Sequence, residues 1–273
     1  MWTSTHVFSA WGDIAQRLKA ARRVLMLSDY DGTLTPIVES PEKATMPEPT
    51  RELIRSLARQ SRLTVGIISG RALGDLQTMV GIRGVVYAGN HGLEIEGPGW
   101  RFIAPLADEF RPVLRLLHRV LSRALAPVSG AVVEDKGLSL TVHYRQVEDA
   151  RTVEVGRIFE RIVAAARSEG RLKTTSGKRV YEVRPPVAWD KGKAVSFLLE
   201  KFGHPGGKHR ALPVFLGDDL TDEDAFKTVE KRNGISVYVG EENLRSAARY
   251  YVKSPEEAQE FLRRGLELYE NRT

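Results

Sequence analysis

The sequence contains no cysteine. Disulfide staples, thiolate metal sites and a cysteine nucleophile are therefore excluded, and any chemistry falls to carboxylates, hydroxyls and cationic side chains. No apolar run approaches the roughly 20 residues needed to cross a bilayer. The amino terminus, with Trp2, His6 and Trp11, shows no basic stretch followed by an apolar segment. A soluble, cytoplasmic protein is the expectation, with no membrane partner. Blocks of like charge, internal repeats and low-complexity segments are also missing. The 41 Lys and Arg outnumber the 35 Asp and Glu, giving a formal charge of +6, but the two signs are mixed along the chain. That pattern reads as a solvated basic surface that attracts an anionic small molecule, not as a nucleic-acid-binding patch, and a monomer is expected. At 273 residues, 42% of them hydrophobic, the chain is long enough for one large or two small cores.

What is present begins with an acidic pair behind an apolar run. Val24, Leu25, Met26 and Leu27 lead through Ser28 into Asp29-Tyr30-Asp31-Gly32-Thr33-Leu34-Thr35-Pro36. A short apolar run ending in Gly and Pro reads as a buried strand entering a tight loop. Asp29 and Asp31 then lie at the carboxyl end of that strand, where open α/β sheets bind ligands. The turn lets the Asp29 side chain and the carbonyl or carboxylate of Asp31 converge on one hard cation. Taken alone, the same string is also an ordinary Asp-Gly turn.

Downstream, the pattern predicts a helix over 48–60, a strand over 63–68 ending at Ser69-Gly70-Arg71, a helix over 73–80 and a strand over 84–88. Alternating strands and helices of this kind specify a parallel sheet with right-handed crossovers. The character then changes. A hairpin is expected around Gly97-Pro98-Gly99, a helix over about 107–125, alternating strands flanking Lys136-Gly137, a helix over 153–167 and two strands over 172–175 and 179–184. Pro185-Pro186 marks the exit. The parallel pattern returns with a helix over 192–202, a strand over 212–216, an acidic loop over 217–224, strands at 235–239 and 250–252 and a final helix over 255–269. The predicted fold class is α/β: a Rossmann-like core from residues 1–108 and 188–273, with an α+β cap inserted over 109–187.

Four polar groups fall beside one another in such a sheet: Asp29 with Asp31, Ser69, Lys191, and Asp218, Asp219 and Asp222. Carboxylates, a hydroxyl, an ammonium and a divalent cation suit the handling of a phosphoryl group, whose oxygens carry charge through the transition state.

The strings D-Y-D-G-T-L-T at Asp29, I-S-G-R at Ile68, W-D-K-G-K at Trp189 and G-D-D-L-T-D-E-D at Gly217 resemble those of the haloacid dehalogenase-like phosphatases. Within that superfamily the chain looks most like the trehalose-6-phosphate phosphatases. That closer likeness rests also on Gly89-Asn90-His91-Gly92-Leu93-Glu94 and Tyr181-Glu182-Val183-Arg184-Pro185.

The resemblance implies a Mg²⁺-dependent phosphatase that forms an aspartyl phosphate. Asp29 is then the nucleophile and Asp31 the acid and base, while Ser69 and Lys191 hold the phosphoryl oxygens. The metal falls to Asp29, Asp31 through its carbonyl, and Asp218, with Asp222 as a brace or water-mediated ligand. Substrate contacts fall to Arg71 and, in the cap, to Glu134, Lys136, Arg145 and Glu182. Several readings stay open. Ser69 is also a natural helix cap, Lys193 competes with Lys191, the acidic string also suits a helix N-terminus, and His91 also suits a turn. The implied substrate is trehalose 6-phosphate. The alternatives are another glycosyl phosphate of the glucosylglycerol or sucrose type, or a non-catalytic sugar-phosphate-binding module.

Overall fold

The structure, a computed structural model, describes residues 4–37, 44–177, 179–203, 211–242 and 245–270. In chain order it opens with β1 (Thr5–His6), α1 (Trp11–Ala20), β2 (Val24–Ser28), α2 (Glu48–Ala58), β3 (Leu63–Ile68), α3 (Leu73–Val80), β4 (Val86–Gly89), β5 (Glu94–Gly97) and β6 (Trp100–Ile103). There follow α4 (Arg111–Leu125), β7 (Val132–Asp135), β8 (Leu140–His143), α5 (Asp149–Ser168), β9 (Lys173–Gly177) and β10 (Val180–Arg184). The chain ends with α6 (Lys191–Phe202), β11 (Leu212–Gly217), α7 (Glu223–Lys231), β12 (Ile235–Val239), β13 (Tyr250–Val252) and α8 (Pro255–Glu270).

Two compact units result, residues 1–102 with 189–273, and residues 103–188. In the first, nine strands form one sheet in the order β1-β13-β12-β11-β2-β3-β4-β5-β6. The pairing is parallel from β1 to β4 and turns antiparallel where β5 joins β4. Every residue of β2 is buried, because helices cover both faces of the sheet. Val24 and Met26 enter a core with α1, α2 and α8, while Leu25 and Leu27 enter another with α6 and α7. A central strand buried on both faces loses its alternation of polar and apolar residues, which is why it reads as a continuous apolar run.

The second unit is an antiparallel sheet in the order β7-β8-β10-β9. Leu140, Val142 and Val183 from this sheet pack with Leu114, Leu121, Val155 and Phe159 of α4 and α5. The two helices therefore cover one face of it.

Local differences from the sequence-based expectations have simple causes. The predicted helix over 107–125 starts as a 3-10 turn, Ala107–Phe110, and becomes α-helical at Arg111, where Pro112 sits in the first turn. The acidic string closes as a loop at Asp222, and Glu223 and Asp224 open α7, so its end is the helix N-terminus that the string also suited, with acids in the first turn. Among the described residues, no helix is long and apolar enough to cross a membrane.

Candidate active site

The site is built where β2 and β11 lie side by side. Parallel pairing sets Ser28 against Leu216, and the Asp29 N–H donates to the Leu216 carbonyl at 2.8 Å. The carboxyl ends of two strands nearly 190 residues apart in sequence thus present Asp29 and Asp218 together. Gly32 makes the loop after Asp29 possible. Its φ is +81°, and a Cβ there would stand 2.2 Å from Asp218 Oδ2. Thr33 Oγ1 donates to Asp218 Oδ1 at 3.2 Å.

Lys191 is buried and lies at the start of α6, whose N-cap is Asp190. Its Nζ donates to Asp29 Oδ1 at 2.8 Å and to Asp222 Oδ1 at 2.7 Å. Lys193 is exposed, and its backbone N–H is the one that Asp190 caps. Asp222, fully buried, uses its other oxygen to accept the backbone N–H groups of Asp218 and Asp219 at 3.1 Å each. The capping-box geometry of the acidic loop is therefore also what aims Asp222 at Lys191.

Carboxylate oxygens of Asp29, Asp218 and Asp222 lie within 4.8 Å of one another. Burial pushes the Asp29 carboxyl well above the usual carboxylate range; Lys191 pulls it down, and Asp222, Asp218 and Asp219 push it up further. Asp218 is pushed up to about 7 by burial and then by Asp222 and Asp219. Burial raises Asp222 to about 6 against the pull of Lys191. For Asp219 burial is outweighed by Lys191 and by hydrogen bonds from Thr221, and its carboxyl falls below the usual value. Burial works against the Lys191 ammonium, yet Asp222 and Asp29 outweigh it and raise its pKa. One ammonium thus faces three clustered carboxylates. An excess of hard oxygen donors at this spacing fits a divalent cation.

Asp31 is not in that cluster. Its carboxylate is gripped by Arg71, Nε on Oδ2 at 2.7 Å and Nη2 on Oδ1 at 2.6 Å. Nothing in the sequence pattern pointed to this pair. Ser69, 1% exposed, follows β3, and its Oγ accepts the Arg71 N–H at 3.2 Å, a local turn bond that also orients the Arg71 loop. His91, with φ at 57°, packs its imidazole against Gly70, where a Cβ would meet it at 2.6 Å, and its N–H donates to the Ser69 carbonyl at 2.8 Å. The same loop is tied to the Lys191 segment, since Trp189 Nε1 donates to the Gly92 carbonyl at 2.6 Å. This bracing by residues 90–94 was invisible in sequence beyond the Asn-His-Gly turn chemistry.

In the second unit, Glu134 lies on β7 and its carboxylate accepts from His143 Nε2 at 2.7 Å, with Lys136 Nζ 3.9 Å away. Glu182, on β10 and 8% exposed, accepts from Arg184 Nε at 2.7 Å. Arg145 is exposed in the turn after β8. The sheet register joins Glu134 and Glu182 in one row through Thr141.

Comparison with known proteins gives the family. A family model described as trehalose-phosphatase matches residues 27–256. A trehalose 6-phosphate phosphatase of Zea mays is 36% identical over 279 residues, covering 96% of this chain and 75% of its own. Trehalose-phosphate phosphatase B of Arabidopsis thaliana is 34% identical over 256 residues, covering 90% and 67%. The C-terminal domain of the C. albicans trehalose-6-phosphate phosphatase shares the fold, with a TM-score of 0.81 at 24% identity over 97% of this chain and 98% of that one. With a family match spanning most of its length and relatives of this identity and coverage, the chain belongs to the trehalose-phosphatase family.

Proposed function

We propose that this protein hydrolyses trehalose 6-phosphate to trehalose and phosphate through an aspartyl phosphate on Asp29. The observation that carries the reading is the buried Lys191 ammonium bridging Asp29 and Asp222, beside Asp218, at the end of β2. Family membership and relatives named for this activity support the substrate.

Asp29 attacks phosphorus with a carboxylate oxygen, an O–P bond forms, and the bond from phosphorus to the sugar oxygen breaks. Asp31 gives its proton to the departing sugar oxygen, then takes one from the water that attacks the aspartyl phosphate, so the carboxyl is restored and phosphate leaves. Lys191 offsets the charge of nucleophile and phosphoryl oxygens, and Ser69 donates a hydrogen bond to one of those oxygens. Asp222 holds Lys191 and the Asp218 backbone in place. Asp29, Asp218 and the main-chain carbonyl of Asp31 would hold Mg²⁺, with Asp222 bracing the set; when bound, the ion neutralises phosphoryl charge. Arg71 binds the anionic substrate. Sugar hydroxyls fall to Glu134, Lys136 and Glu182, with Arg145 at the margin, so that the second unit acts as a specificity cap.

The test is a panel of phosphate esters with purified protein, with and without Mg²⁺. Phosphate release from trehalose 6-phosphate well above that from sucrose phosphate, glucosylglycerol phosphate and glucose 6-phosphate supports the reading. Higher efficiency on one of the others reassigns the substrate, and release from none overturns the hydrolytic reading.

A further inference from the structure

Directly opposed residues of an antiparallel sheet share a face. On β7, β8, β10 and β9 the register sets Glu134 against Thr141, Thr141 against Glu182, and Glu182 against Thr175. These four side chains form one polar row on the face opposite the one that packs on α4 and α5. The neighbouring residues, Val133, Val142, Tyr181 and Val183, point to the other side and into the helical core.

Thr141 stands in the middle of this row, between two glutamates. It is 4% exposed, and among the described residues its Oγ1 has no hydrogen-bond partner. A buried hydroxyl without a partner is a cost to the fold. Valine has nearly the same shape, favours strands equally and would carry no such cost. The flanking carboxylates are already oriented, Glu134 by His143 at 2.7 Å and Glu182 by Arg184 Nε at 2.7 Å. The row thus has two fixed acceptor walls and, on its floor, one buried hydroxyl left to satisfy.

We infer that Thr141 is a specificity-determining residue whose hydroxyl pairs with a ring hydroxyl of the sugar held between Glu134 and Glu182. The inference rests on the reading of this row as the sugar subsite. The chemistry is complementary. Ionised carboxylates only accept, so a sugar hydroxyl that donates to Glu134 or Glu182 keeps its oxygen lone pairs, and the Thr141 hydroxyl supplies the donor for one of them. A polyhydroxylated ligand satisfies the orphan, whereas a flat aryl ester leaves it unpaired.

Thr141→Val removes the hydroxyl at constant shape, and Thr141→Ser keeps it. On trehalose 6-phosphate, Thr141→Val should lower kcat/KM about tenfold, mostly through KM, the effect of one neutral hydrogen bond. Thr141→Ser should recover to within about threefold, and both should match wild type on p-nitrophenyl phosphate within about twofold. Wild-type efficiency of Thr141→Val on trehalose 6-phosphate overturns the inference. Equal loss on both substrates without rescue by Ser also overturns it, because Thr141 then serves packing only. Glu134→Gln and Glu182→Gln run in parallel separate the two levels. If these variants also fail to distinguish the substrates, the sugar-subsite reading falls together with the role of Thr141; if they distinguish them and Thr141→Val does not, only Thr141 is misassigned.

Discussion

Arg71 holds Asp31 with both arms of its guanidinium, at 2.7 and 2.6 Å, across 40 residues of sequence. Each carboxylate oxygen accepts one guanidinium N–H and keeps a lone pair for substrate. On the proposed mechanism an incoming phosphate competes with Asp31 for Arg71.

This relationship predicts strong coupling between the two residues. Asp31→Asn is expected to lower kcat on trehalose 6-phosphate by about a hundredfold or more, and Arg71→Ala to lower kcat/KM by about tenfold to a hundredfold. The double variant should lose less than the product of the two single losses, because part of what Arg71 does passes through Asp31 and part through the substrate. Losses that simply multiply would show two independent roles.

The clustered acids make metal binding pH-dependent. Asp218 at about 7 and Asp222 at about 6 both lie above the ordinary aspartate value. A carboxyl raised in the folded state contributes stability in full below its unfolded value, about 4, and loses it as pH rises through its folded value. Protein stripped of divalent ions should therefore lose melting temperature between pH 5 and pH 8. A cation needs the ionised carboxylates, so the rise in melting temperature on adding Mg²⁺ should be larger at pH 8 than at pH 5. Thermal melts with EDTA or MgCl₂ at the two pH values check this. Equal shifts at both would contradict the assignment of the ion to Asp29, Asp218 and their neighbours.

Gly32→Ala should damage the site more than the fold. A methyl group at Gly32 collides with Asp218, and alanine is strained at φ +81°. A stability loss somewhat above about 1 kcal/mol is expected. Activity and the Mg²⁺-dependent melting shift should fall much further than that loss explains. A variant with normal Mg²⁺ response would mean that the loop shifts without disturbing Asp218.

How much of this was legible in sequence depended on range. The β2 run and its Asp-x-Asp-Gly-Thr loop were local, and so were β3, β12 and the turn at Gly137. For Asp222 the resemblance implied a brace or water-mediated ligand, but the geometry was not legible, because it comes from a capping box that turns one oxygen to the backbone and the other to Lys191. The acidic string left loop and helix N-terminus both open, and α7 starts at its end. The choice between Lys191 and Lys193 is a matter of helix phase at the start of α6, one buried and one exposed. The Arg71–Asp31 bridge and the row from Glu134 to Thr175 are products of strand order and register. No window of neighbouring residues contains them.

The most direct test concerns Asp29. Rapid-quench turnover of ³²P-labelled trehalose 6-phosphate should show transient protein-bound label that maps to the peptide containing Asp29. Asp29→Asn, nearly identical in shape, should bind substrate, carry no label and turn over about ten-thousandfold more slowly or less. Substantial phosphate release by purified Asp29→Asn protein, or label that maps to another residue, would contradict the covalent mechanism proposed here.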